Sequence, residues 1–119
     1  MATTTLNTAK EHTQKVVFDL LNEYAAFYPA NPPISENQVI ADFERGHFQL
    51  VWMEWDRDVL NHRTAFHFDI KPDGKIWIQV NNTDIDIAAE FVERGVEKSD
   101  IVIGFQPPRY RPYTGYAVA

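Results

Sequence analysis

The chain has 119 residues, with seventeen Asp and Glu against eleven Lys and Arg, a formal net charge of −6 and a pI near 5.1. An acidic mean charge opposes non-specific attraction to nucleic acid, so any DNA involved is expected to be held by a partner. Cysteine is absent, which excludes disulfides, thiolate metal sites and cysteine nucleophiles, and the length suits one domain with a core of its own.

The opening MATTTLNTAKEHTQK lacks the basic start and apolar centre of a secretory signal, and no apolar run approaches the roughly 18 residues of a membrane span. A cytoplasmic protein is expected, folded as a single domain over 1–119 with residues 1–8 disordered. After that start, Val17, Leu20, Leu21, Tyr24, Phe27 and Tyr28 recur at helical spacing, with Lys15, Asp19, Asn22 and Glu23 between them. This is an amphipathic helix with one buried stripe. Pro29, Pro32 and Pro33 end it and form an extended connector.

From Asn37 the period changes to two. QVIADFERGHFQLVWMEWD reads as a hairpin turning at Glu44-Arg45-Gly46, where glycine permits a positive φ. In VLNHRTAFHFDIKPDGKIWIQVNN, alternation puts Phe66, Phe68 and Ile70 on one face and Arg63, His67, Asp69 and Lys71 on the other. Lys71-Pro72-Asp73-Gly74 turns the chain, so Lys75–Val80 returns antiparallel with Ile76, Ile78 and Val80 buried. A second helix follows, capped by Asn82 or Thr83, with Asp84 and Asp86 at the positive end of its dipole. Its apolar stripe is Ile85, Ala88, Ala89 and Val92, and Gly95 closes it. DIVIGF is too short for periodicity to distinguish strand from helical turn. The sum is an α+β fold: N-terminal helix, four-stranded antiparallel meander, second helix and C-terminal tail, the helices covering one face of the sheet.

The other face carries the candidate chemistry. His67 and Asp69, two apart on one strand, project together beside Arg63, with Trp77 and Gln79 on the neighbouring strand. A carboxylate beside an imidazole can form a general base or two ligands of a metal site. A catalytic metal wants a third ligand. Strict alternation turns His62 away, and His47 reaches the pair only if register allows. A hydrogen-bonded polar face or an interface outweighs a site here, so no catalytic or metal-binding residue is assigned. Trp52, Trp55 and Trp77 with His47, Phe48 and Arg63 suggest a base-stacking platform, but Glu54, Asp56 and Asp58 crowd the same segment and favour core or interface tryptophan. No phosphate-cradling loop, nucleophile elbow, metalloprotease helix or nucleotide fingerprint is present, and Glu90 with Glu93, or Asp84 with Asp86, read as solvated helix surface.

The tail GFQPPRYRPYTGYAVA combines three elements of a docking segment. Pro107, Pro108 and Pro112 stiffen it, Tyr110, Tyr113 and Tyr116 offer apolar area with a polar tip, and Arg109 and Arg111 offer forked contacts to carboxylates. Residues 106–119 therefore read as a segment that lies on a surface, either its own domain's or that of a partner protein or second copy. The partner-binding candidates are Arg63, His67, Asp69, Trp77, Gln79, Pro107, Pro108, Tyr110, Arg111, Tyr113 and Tyr116.

Taken in order and at their spacing, DFERGHFQLVWMEWD, HFDIKPDGKIWIQ, NNTDIDIAAEFVERGV, SDIVIGFQPP and YTGYAVA resemble the XisI family, the fdxN element excision controlling factors of cyanobacteria, from the first helix onward. The chain departs from the family pattern at Asn82, where relatives often carry glycine, and at Gln106, where they often carry a histidine. A glutamine supplies no acid, base or ordinary metal ligand. The resemblance implies a non-enzymatic accessory role in site-specific DNA rearrangement during heterocyst differentiation. A separate recombinase would do the chemistry, an XisH-like protein would be the partner, DNA would be met only indirectly and no cofactor would be used. Homo-oligomers stay open, and no membrane is involved. The competing readings are a small enzyme or metal-dependent hydrolase centred on His67 and Asp69, and a direct DNA-binding excision factor.

Overall fold

Helix α1 spans Ala2–Phe27 and buries Val16, Val17, Leu20 and Leu21, one stripe at helical spacing, with Tyr24, Ala25 and Tyr28 extending it. The computed structural model describes residues 2–119, and side chains from residue 8. The helix begins earlier than the expected disordered start, because residues 2–8 contain no glycine or proline to interrupt it. Met1 lies outside the described residues. At the other end Asn37 Nδ2 donates to the carbonyls of Ala25 and Tyr28 at 3.0 and 2.7 Å, so a side chain from the first strand satisfies the helix terminus.

The strands are β1 (Ser35–Asp42), β2 (His47–Asp56), β3 (Val59–Ile70), β4 (Ile76–Asn81) and β5 (Ile101–Val102), in the order β1-β2-β3-β4-β5. The first four form the expected antiparallel meander. The fifth corrects the strand count: Ile101-Val102 of the ambiguous DIVIGF run pairs parallel to β4. Parallel pairing needs a crossover, and α2 (Ile87–Glu93) followed by the 3-10 turn Lys98–Asp100 supplies it.

The cap of α2 is Asp86, whose side chain accepts from Ala89 N–H, rather than Asn82 or Thr83. Thr83 instead shares a hydrogen-bonded turn with Asn81 and Ile85. Its buried stripe is accordingly Ile87, Ala88 and Phe91, with Ile85 and Val92 half-buried beside it. Both helices contribute to one core on one face of the sheet, around Phe48, Leu50, Phe66, Phe68, Ile76 and Ile78. The Tyr24 hydroxyl meets Glu90 and Arg94 meets Glu23, tying the helices together. Burial first, then the Glu90 carboxylate, raises the Tyr24 hydroxyl well above its ordinary range. Among the described residues no helix is long and apolar enough to cross a membrane.

Two bulges break the alternation that strand reading assumes. Leu50 faces Phe66 while Val51 faces Thr64, so Ala65 is the extra residue on β3. Beyond it Arg63 lies opposite Trp52, which packs on the core side against Tyr28, with ring centroids 4.9 Å apart. Arg63 therefore leaves the face of His67 and Asp69, and His62, opposite Met53, joins that face at a distant level. The second bulge is Gln79 on β4: His67 faces Val80 and Phe68 faces Ile78, which turns Val80 away from the core where alternation had placed it.

Candidate functional site

The open face is organised by Asp69. In the sheet His47 lies directly opposite it on β2, Trp77 directly opposite on β4, and His67 two residues before it on β3. The imidazoles converge on one oxygen: His47 Nδ1 lies 2.8 Å and His67 Nε2 2.9 Å from Asp69 Oδ1. Gln79 Nε2 donates to Oδ2 at 3.2 Å. For both imidazole contacts to be hydrogen bonds, His47 carries its proton on Nδ1 and His67 on Nε2.

Asp69 is 8% exposed and is the one buried charged residue among those described. Burial pushes its carboxyl up, but hydrogen bonds from His47, His67 and Gln79 together outweigh burial and hold it below the usual carboxylate range. The site thus keeps an ionised carboxylate inside a shell of hydrogen-bond donors. Among the described residues its ion-pair partners are the two histidines alone. The nearby cations are engaged elsewhere: the Lys71 ammonium and the Arg111 guanidinium sit 5.4 and 4.9 Å from the centroid of the Trp77 ring.

Two glycines make the arrangement possible. Gly46, at φ 77°, precedes His47 and accepts the Ile70 N–H at 2.8 Å; a Cβ there would meet the Ile70 carbonyl oxygen at 2.3 Å. The turn therefore rests on the end of β3 and sets His47 level with Asp69. Gly104 passes so close to Gln79 that a Cβ would stand 2.6 Å from Gln79 Oε1 and 3.1 Å from the Ile78 carbonyl oxygen. The missing side chain is the space Gln79 occupies while it reaches Asp69.

The tail folds onto its own domain. A 3-10 helix over Pro108–Tyr113 brings Arg111 onto Trp77, and its guanidinium also donates to the carbonyls of Gln106 and Gly104 at 3.0 and 3.4 Å. Ala117 bridges to Val102 beyond the short strand, and Lys75 Nζ donates to the Ala119 carbonyl at 2.6 Å. Tyr116 packs against the core beneath Lys98. Tyr110 is 48% exposed and Tyr113 85% exposed, held outward on the proline-stiffened turn beside Pro107 and Pro108.

Of the sequence candidates, then, His67, Asp69, Trp77, Gln79 and Arg111 come together on one face. Pro107, Pro108, Tyr110 and Tyr113 are exposed on the turn that carries Arg111, Tyr116 folds back, and Arg63 stands apart. The stacking platform is not assembled, since Phe48 is buried in the core and Trp52 packs on its side, leaving Trp77 across Asp69 from His47, with the half-exposed Trp55 at the far end of β2. His47 and Gly104 are the additions. His47 was readable only through register, and Gly104 has no local signal, because what it accommodates is a side chain from another strand.

Known proteins match this architecture closely. The XisI protein family model matches residues 7–118. An XisI-like protein from Anabaena variabilis superposes with a TM-score of 0.83 at 43% identity, over 89% of this chain and 95% of the other. The fdxN element excision controlling factor XisI from Anabaena variabilis superposes with a TM-score of 0.82 at 24% identity, over 93% of this chain and 99% of the other, a likeness of fold. No curated protein matches the sequence significantly.

Proposed function

Since the chain belongs to the XisI family, we propose that it is a non-enzymatic accessory subunit in control of fdxN-type element excision during heterocyst differentiation. It works in the cytoplasm by binding an XisH-like partner, and it meets DNA only through that partner. The family supports the excision-control setting, and the net charge of −6 supports indirect contact with DNA.

The observation that carries the binding role is the exposed turn of the tail, anchored to the open face through Arg111. Tyr113 is 85% exposed and Tyr110 48% exposed on a turn that starts at Pro108 and is anchored by Arg111 on Trp77. Large aromatic side chains presented on a backbone already ordered lose little entropy on docking, which is how interface anchors are built. The polar cluster of the same face, His67, Asp69 and Gln79, gives register rather than affinity.

Co-expression with an XisH-like protein, followed by size-exclusion chromatography with light scattering, tests this. A stoichiometric complex is expected, weakened at least tenfold in the Tyr110→Ala/Tyr113→Ala variant while the isolated domain melts as before. Separate elution of the two chains overturns the partner. A double variant that binds as tightly as the parent overturns the role of the turn. Removal of the whole tail is a poor substitute, because Arg111 and Ala117 belong to the fold of the domain.

A further inference from the structure

We propose that His47, His67 and Asp69 form a binding site for a first-row transition-metal dication, with zinc the expected occupant. The inference shares His67 and Asp69 with the partner reading above but does not need it, since metal binding is tested on the chain alone.

The ligand atoms of the three residues all lie within 4.8 Å of one another, both imidazole nitrogens 2.8 and 2.9 Å from Asp69 Oδ1, so small side-chain rotations bring all three to the ~2.1 Å bonds of one ion. Two imidazole nitrogens and one carboxylate oxygen form a donor set suited to zinc, cobalt or nickel and ill suited to magnesium or calcium, which prefer oxygen alone. They leave outward positions free for water, because the side chains of His47 and His67 are 56% and 29% exposed while Asp69 closes the inner side at 12%. Entry is therefore from the open face.

The surroundings are those of a ligand cradle. Gln79 Nε2 holds Asp69 Oδ2 at 3.2 Å, leaving Oδ1 as the atom both histidines address, and Gly104 leaves room for that glutamine. A carboxylate fixed by a second-layer donor is the usual support of a ligating carboxylate. Charge points the same way: a buried anion has no Lys or Arg ion-pair partner among the described residues, so a dication neutralises it where the protein does not. From the hydrogen-bonded arrangement, moving the His47 proton from Nδ1 to Nε2 and that of His67 from Nε2 to Nδ1 frees both lone pairs for the ion.

The test uses the full chain, freed of any affinity tag and stripped with chelator, titrated with zinc chloride by calorimetry and with cobalt chloride by visible absorption. One zinc per chain at micromolar or tighter affinity is expected, together with cobalt d–d bands that zinc displaces. His47→Ala, whose side chain is 56% exposed, and His67→Asn should each abolish the bands while circular dichroism shows the fold retained. Gln79→Ala should retain them with affinity lowered about tenfold. His12→Ala/His62→Ala, which removes the remaining histidines, should bind as the parent does. No heat and no bands at 100-fold excess of metal over protein overturn the site. So does binding that survives His47→Ala, or that disappears with His12 and His62.

Discussion

Gly104→Ala is the substitution that most directly tests how the open face is built. Its φ lies outside the left-handed region, so alanine is tolerated by the backbone, and any cost comes from space. The added Cβ would stand 2.6 Å from Gln79 Oε1, which forces that side chain off Asp69. Losing a part-buried hydrogen bond to a carboxylate costs ~1.5 kcal/mol, and the 3.1 Å approach to the Ile78 carbonyl adds ~0.5 kcal/mol. The lower entropy of the unfolded alanine chain returns about 0.5 kcal/mol, leaving a net loss near ~1.5 kcal/mol. Gln79→Ala should lose about the same, for the same bond. In the double variant the clash has no object, so the total should also stay near ~1.5 to 2 kcal/mol rather than the ~3 kcal/mol of independent sites. Urea unfolding followed by circular dichroism, on the four members of the cycle, measures the coupling. Additive losses within ~0.5 kcal/mol would refute the reasoning, because Gly104 would then matter for something other than Gln79.

Gly46→Ala and Gly74→Ala separate strain from space: both glycines have positive φ, 77° and 89°, but a Cβ at Gly46 meets the Ile70 oxygen at 2.3 Å while one at Gly74 meets nothing. Denaturant unfolding should show a loss of about 1 kcal/mol at Gly74 and ~3 kcal/mol or more at Gly46, and equal losses would remove the turn's role in seating His47. Because burial raises the Asp69 carboxyl but its three hydrogen bonds hold it below its unfolded value of about 3.9, its contribution is present above that value and lost as pH falls through the folded one. The stability gap between the parent and Asp69→Asn should therefore close below about pH 4, and a gap unchanged at pH 2.5 would contradict the assignment. Arg111→Ala removes the guanidinium from Trp77 and two bonds to the Gln106 and Gly104 carbonyls, for ~1 to 2 kcal/mol, and should release the tail. Limited proteolysis should then cut between residues 106 and 114; a tail as resistant as the parent's would mean that Ala117 and Lys75 hold it unaided.

Much of the fold was legible because it is written in local signals. Val17, Leu20 and Leu21 repeat at the period of a helix, Phe66, Phe68 and Ile70 at the period of a strand, and Gly46, Gly74 and Gly95 mark turns whose left-handed φ each adopts. Such signals involve neighbours in the chain, and they suffice for one helix, a four-strand meander, a second helix and the α+β class. The family resemblance, spread over the whole chain, is legible for the same reason.

The candidate site was not, because it depends on a register that no residue states alone. Carried unbroken from the turn at Arg57-Asp58, pairing would set His47 opposite Phe68; the extra residue at Ala65 advances β3 by one and sets Asp69 there instead. That single bulge also moves Arg63 to the other face, and the one at Gln79 moves Val80. Alternation is a rule about an undisturbed strand, and a bulge reverses it for every residue beyond. Likewise the tail's composition described a segment made to lie on a surface, but which surface was decided by Trp77, Val102 and Lys75 waiting on its own domain. Pairing and docking are contests between distant parts of the chain, and only the packed structure settles them.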